Sequence, residues 1–353
     1  MRQIKANRAS KELLKDSKPD RLFYCLSGAW VTCILGLREG VGADYQTIYA
    51  QGYTAAAGGA ESRYEIGFDL LQKVCLLVSD DYHLLFFASA AITVALIYYA
   101  IYRWSKMPLL SIVIFLLGGL FFFSTNAVRQ AIAIALFLNA IPYIIKRKPL
   151  NYCCLIILAA LFHKSAIILL VLYLTRFIKL NFTTGTLVCI AVAISGGYLV
   201  AASLQVGSLV SEQFAVYGHL EKYLEGNFDF LDLGYTVIAY AVFLYVRRGQ
   251  KKLYRNNDEI RILTNILFVG LLIIIMTGYM FILFRIARYF TPVLIFYIPS
   301  LIAQLKTRQQ RSMAAWLMVG CFVVVSFVVY GYLEMDHAVP YQTLFEQQGS
   351  GLF

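Results

Sequence analysis

Two short patterns place arginine where an apolar chain tolerates it least. Asn126, Arg129, Gln130 and Ala133 stand at i, i+3, i+4 and i+7, the spacing of one helix face. Arg285, Arg288, Tyr289 and Pro292 repeat that spacing. Both patterns sit at the ends of apolar stretches, and Lys164 and Arg38 occupy comparable positions. A charge costs ~2.5–3.5 kcal/mol at the centre of a membrane helix. These cations therefore need a water-filled cavity, an anionic ligand or nearby carboxylates. Asp44 and Glu65 supply carboxylates, and His163 adds a titratable ring. A single arginine at a helix end commonly snorkels to lipid headgroups, and a single loop acid is commonly solvated. The case for a site rests on their combination.

The elements that must hold these residues are membrane helices. Of 353 residues, 60% are hydrophobic and 14% charged, against roughly a quarter charged in a soluble domain. Apolar stretches cover about 22–37, 83–102, 108–124, 127–145, 150–162, 165–178, 185–204, 233–246, 262–283, 286–304 and 312–332. Most approach the length that crosses ~30 Å of hydrocarbon. The first ends in Gly36-Leu37-Arg38-Glu39, with no small-residue cleavage site, so it is expected to stay as a span. None of the seven cysteines has CxxC or CxxH spacing. They are expected to pack as small apolar residues, with no disulfide framework and no zinc site.

Short basic clusters punctuate the apolar stretches and set orientation by the positive-inside rule. Residues 150–178 decide the count. Crossing once, they would move the clusters at 176–179, 247–261 and 306–311 outside. As two short helices of ~14 residues, ~21 Å each, they return to the same side, with His163-Lys164-Ser165 at a sheltered junction. That choice puts 23 of the 31 Lys and Arg on the cytoplasmic side with 5 acids, and 8 with 15 acids on the other. The expectation is an all-α polytopic protein of about eleven transmembrane or half-membrane helices, N-terminus cytoplasmic and C-terminus outside. Residues 1–21 form a basic cytoplasmic tail, and 22–332 form one membrane domain with external loops 38–82 and 205–232. Residues 333–353 form an extracytoplasmic tail. The working polar residues then gather on the outer side, where the two arginine faces converge on one depth with Lys164 and Arg38. The net charge of +11 is divided by side and is no nucleic-acid footprint.

Five motifs, in order, carry a family resemblance. Arg38, Gly42, Asp44, Tyr45 and Tyr49 fit R-x-x-x-G-x-D-Y-x-x-Y; Glu65, Gly67 and Phe68 fit E-x-G-F; Asn126, Arg129, Gln130 and Ala133 fit N-x-x-R-Q-x-x-A. His163, Ser165 and Ala166 fit H-x-S-A, and Arg285, Arg288 and Tyr289 fit R-x-x-R-Y. Together they resemble the EpsG/Wzy-like bacterial polysaccharide polymerases over about residues 22–300. The last apolar stretch, the 333–353 tail and the 205–232 loop match no motif.

The resemblance implies a GT-C-like helical fold and a glycosyltransferase in the bacterial inner membrane, active on its outer side. It would join oligosaccharide repeat units carried on undecaprenyl pyrophosphate. Implied partners are the lipid-linked oligosaccharide, membrane lipids, and a chain-length regulator and flippase of the same pathway. For that chemistry, Arg129, Arg285 and Arg288 are assigned to the pyrophosphate, whose developing charge suits bidentate guanidinium groups, with Lys164 and Arg38 in support. Asn126, Gln130, Tyr45 and Tyr289 are further substrate contacts. The base is one of Asp44, Glu65 and His163, with Asp44 preferred. No cofactor or metal is expected, since no DxD-like carboxylate pair accompanies the cavity. A flippase of lipid-linked sugars, a polysaccharide O-acyltransferase using His163 and a non-catalytic scaffold are the competing readings.

Overall fold

The computed structural model describes residues 19–179, 184–185, 187–196, 198, 234, 257–280, 283–335 and 341–345. Apart from residue 234, the expected 205–232 loop and 233–246 stretch lie outside the described residues. The chain is an all-helical membrane protein. Its one departure from helix and loop among the described residues is an isolated antiparallel bridge between Arg38 and Thr343. Contacts divide the chain into two compact units, Met1–Leu170 with Ile298–Phe353, and Val171–Tyr297.

The first unit opens with α1, Arg21–Gly36, capped by the Asp20 carboxylate, which accepts from the amides of Leu22 and Phe23. A π-helical turn over Tyr45–Ala50 leads into α2, Gln51–Ala57, and then α3, Ile66–Leu76. The long helices follow: α4, His83–Trp104, the pair α5, Pro108–Leu117, and α6, Leu120–Asn126, then α7, Val128–Ile145, and α8, Pro149–Phe162. Beyond Arg129 and Gln130 in its first turn, α7 is apolar on every side but for Asn139, which in a compact unit means a central helix, and 83% of it is buried. It packs between α4 and α8, and α4 in turn carries α1. One polar residue, Asn139, ties the centre together. Its amide nitrogen donates to the carbonyls of Leu96 on α4 and Ala135 on α7, so both of its N–H groups are satisfied.

The expected single span at 108–124 is a pair of helices bent by 46°. Gly118 and Gly119 cause the bend: Gly119 has φ +90, and a Cβ on Gly118 would stand 2.3 Å from the Ile114 carbonyl oxygen. The carbonyls freed at the bend, those of Leu117 and Gly119, find partners near the C-terminal end of the chain. After α8 the backbone becomes extended at His163 and then winds as a 3-10 helix over Lys164–Phe177, so the chain leaves the α-helix at the expected junction.

The second unit contains α9, Leu187–Gly196, α10, Asp258–Thr277, and the short α11, Phe284–Ala287. α10 starts four residues before the apolar stretch. The Asn257 side chain caps it and Asp258 pairs with Arg261 at 2.7 Å. Asn265, fully buried, donates to the carbonyls of Thr175 and Ile178. The stretch expected as one helix over 286–304 is broken. A 3-10 turn at Thr291–Val293 carries Pro292 and precedes α12, Leu294–Ile302. Proline lacks the N–H that a continuous helix needs.

Back in the first unit, α13, Arg308–Ser326, begins with a Thr307–Gln310 capping box and continues as a π-helical turn over Phe327–Tyr332. It packs on α5. The Ser326 hydroxyl takes the Leu117 carbonyl and Tyr330 takes that of Gly119, while the Tyr330 ring stacks on Phe122 at 3.9 Å. Residues 341–345 then pair with the end of α1 far from the N-terminus. The Glu39 amide donates to Gln342, and the Leu344 amide to Leu37. By length and composition, α4, α7, α10 and α13 with its extension can cross a membrane, and the bent pair makes a fifth span. α1, α8 and α9 are apolar but shorter.

Candidate functional site

Two close backbone approaches assemble the motifs of the first unit. Gly42 has φ +106, and a Cβ there would stand 2.4 Å from the Thr125 carbonyl oxygen. Glycine alone tolerates that conformation and that approach together. The approach brings the Asp44 amide to Asn126 Oδ1, which accepts its N–H at 2.9 Å. Gly67 acts similarly at the start of α3, where a Cβ would meet the Leu161 carbonyl oxygen at 2.9 Å. Glu65, the residue before α3, is thereby held beside the end of α8.

Glu65 is the hub of the cluster. Its Oε2 accepts from Arg129 Nη1 at 2.5 Å. Its Oε1 accepts the Lys164 backbone N–H at 3.2 Å and lies 3.5 Å from His163 Nδ1. The side chain is 9% exposed, against 22% for Arg129. Burial pushes the carboxyl up, but hydrogen bonding from His163, the Arg129 charge and the backbone amides of residues 65 and 164 outweigh it and hold the group at about 2. A carboxylate so held stays ionised and accepts a proton poorly.

Arg129 makes further contacts around that pair. It hydrogen-bonds the buried Tyr49, and its guanidinium carbon lies 5.1 Å from the Tyr64 ring centroid. Its Nε is buried and has no acceptor among the described residues. Tyr49 is also within the field of Asp44, so Asp44 and Arg129 flank one tyrosine. Asp44, Asn126 and His163 are half-buried, Gln130 is buried and Lys164 is exposed.

Arg38 and Tyr45 occupy the interior rather than a solvent-facing wall. Arg38 is 1% exposed. Its three nitrogens donate to the carbonyls of Leu35, Val41 and Thr125, and the guanidinium lies 4.6 Å from the Phe86 ring centroid. Burial pushes its pKa down to about 10, against the opposing influence of Tyr45, Tyr341 and Tyr49. Such a group joins the end of α1 to the 41–45 turn and the end of α6. Tyr45 stacks on Phe86 at 4.3 Å, with its hydroxyl 3.1 Å from Glu39 Oε2. The sequence expected both residues at the substrate; their burial gives them the task of positioning the turn that carries Asp44.

Arg285, Arg288 and Tyr289 belong to the second unit. Arg288 is the C-cap of α11 and its amide donates to the Phe284 carbonyl, so the two arginines share one turn, which ends before Pro292. Arg285 is exposed beside Phe284, Arg288 is buried and Tyr289 is fully buried.

One cluster was missed from the sequence. His83 Nε2 lies 2.6 Å from Glu39 Oε2, and its Nδ1 lies 2.5 Å from Asp81 Oδ1. Tyr45 and Tyr82 place hydroxyls on the same Glu39 carboxylate. A carboxylate thus faces each ring nitrogen, which fixes the plane of the imidazole between Glu39 and Asp81. The Asp81–His83 half is local and was legible; Glu39 is 44 residues away. The ring nitrogens face different carboxylates, and no three or more His, Cys, Asp and Glu among the described residues are arranged to hold a metal ion.

No curated protein and no solved structure matches the chain. A family match covers residues 21–343, from the first residue of α1 to the Thr343 bridge with Arg38, and includes every element that builds the cluster. With nearly the whole chain matched, the protein belongs to the EpsG family.

Proposed function

We propose that the protein is a membrane glycosyltransferase that lengthens a surface polysaccharide, joining repeat units carried on undecaprenyl pyrophosphate at the outer face of the inner membrane. Family membership supports a polysaccharide polymerase in general. The observation that carries the finer statement is Arg129. It is a guanidinium in the first turn of α7, with one buried N–H unmatched and an acid and a histidine close by. Buried donors without acceptors are rare in folded proteins, and a phosphate oxygen supplies the missing acceptor.

In this mechanism an acceptor hydroxyl attacks the anomeric carbon of the lipid-linked sugar. The new glycosidic C–O bond forms as the bond to pyrophosphate breaks, and the leaving group departs with the electron pair. Arg129, with Lys164 in support, stabilises that developing charge. The hydroxyl proton passes to Asp44, or to His163. Glu65 has too low a proton affinity and serves to hold Arg129, His163 and the Lys164 backbone in place. The eleven-segment topology, the GT-C-like fold and the outward-facing site belong to the same proposal.

The test is a gel of surface polysaccharide from a strain lacking the gene, complemented with wild type or with Arg129→Ala at matched protein levels. Loss of the ladder, leaving single repeat units, is expected for the variant. A full-length polymer lacking a decoration would favour acyl transfer, and sugars retained on the cytoplasmic side would favour a flippase. A normal ladder with Arg129→Ala would remove Arg129 from the site.

A further inference from the structure

A groove of about 560 Å³ runs between α1 and α4, away from the Glu65 cluster. It extends along α1 from Arg21 to Thr32, and Tyr98, Tyr99 and Tyr102 line its α4 side. Its size falls within the ~300–1,000 Å³ usual for ligand pockets. The wall is almost entirely apolar or aromatic, with charge only at the Arg21 end. Arg21 is exposed there, and its Nε donates to the Tyr102 hydroxyl at 3.3 Å.

Three observations define the occupant. α1 is peripheral: Leu22, Phe23, Leu26 and Trp30 are more than half exposed, so the groove opens toward hydrocarbon. The eleven helical steps from Arg21 to Thr32 span ~16 Å at 1.5 Å per residue, about half of a ~30 Å hydrocarbon core, or one leaflet. Charge at the mouth is positive. Arg21 stands there, and Arg103 follows Tyr102 near the end of α4. Tyrosines near that end suit the headgroup level. A second copy seated there by a two-fold axis along the membrane normal would instead bring two Arg21 side chains together.

We propose that this groove holds one acyl chain of an anionic phospholipid from the leaflet on the N-terminal side, with its phosphate on Arg21. Basic residues beside a membrane helix attract anionic lipid at about 1 kcal/mol each, or about fivefold in binding.

Native mass spectrometry of the full-length protein, with phosphatidylglycerol or phosphatidylcholine of identical chains, tests this. Wild type should retain one phosphatidylglycerol with about a fivefold preference. Ala29→Phe, which fills the groove, should lose both lipids; Arg21→Gln should keep the chain contact and lose the preference. Leu26→Phe, on the exposed flank of α1, should behave as wild type. A measurement on the wild-type chain covers the case in which a variant fails to fold. Cys25 lines the groove and is exposed, as is Cys154 on α8; phosphatidylglycerol should slow maleimide labelling of Cys25 more than phosphatidylcholine does and leave Cys154 unchanged. Equal retention of the two lipids, retention by Ala29→Phe at the wild-type level, unslowed Cys25 labelling, or a second protein copy in place of lipid would each overturn the assignment.

Discussion

Replacing Glu65 and Arg129 by glutamine, singly and together, measures how far the cluster depends on their charge pair. The carboxyl falls from its ordinary 4.5 to about 2 in the folded chain. At 1.36 kcal/mol for each tenfold change in proton affinity, that corresponds to about 3 kcal/mol as an upper figure. His163 and two backbone amides share the effect, and Arg129 is 22% exposed, so solvent screens the pair. The coupling expected from the double-mutant cycle is about 1–2 kcal/mol. Each single variant should cost more than the double variant implies, because it leaves a half-buried partner unmatched. The sign with pH follows from the lowered pKa: the stabilisation is complete above about pH 4.5 and is lost as pH falls through about 2. An acid limb in polymer synthesis above pH 5 would therefore belong to a group other than Glu65. Thermal unfolding of the purified variants gives the cycle, and polymer ladders give activity. A coupling below about 0.3 kcal/mol would refute the account of Glu65 as the anchor of Arg129.

Three further outcomes follow from the same geometry. Gly42→Ala should destabilise the fold by about 1–3 kcal/mol and abolish the ladder, because its Cβ meets the Thr125 carbonyl oxygen; Gly40→Ala, with φ +66 in open space, should cost about 1 kcal/mol and keep activity. Thermal melts of the pair separate them, and equal melts would contradict the close approach. Arg38→Lys should lower membrane-extracted yield and melting temperature nearly as much as Arg38→Ala, since an ammonium cannot reach three carbonyls as a planar fork does; full recovery by lysine would show that charge alone matters. His83→Ala should leave the buried Glu39 carboxylate with only tyrosine hydroxyls, costing about 1–3 kcal/mol, and should speed limited proteolysis between residues 38 and 82; unchanged cleavage would show that the trio does not hold this segment.

The helical, membrane-bound character was legible in the order of residues, because apolar stretches of near-membrane length leave a backbone no other way to satisfy its N–H and C=O groups. The Asn126–Arg129–Gln130 face and the break at His163 were legible for the same local reason: helix spacing and interruption depend on neighbours within a turn or two. Glycines in the motifs were visible as residues, but the reason for them was not. Gly42 and Gly67 are needed because Thr125 and Leu161 arrive from elsewhere in the chain. Only the tertiary structure decided that Glu65 would meet Arg129, 64 residues on, and so become a fixed anion instead of a base. The same holds for Arg38, which by its type is a ligand-binding cation and by its burial is a clamp on three carbonyls. Residues 341–345 pairing with the end of α1 carried no sequence signal at all, since a backbone hydrogen bond is indifferent to the side chains that flank it. Spacing sets what one helix presents; which groups then face one another, and hence their charge and proton affinity, depends on packing between segments that the sequence keeps far apart.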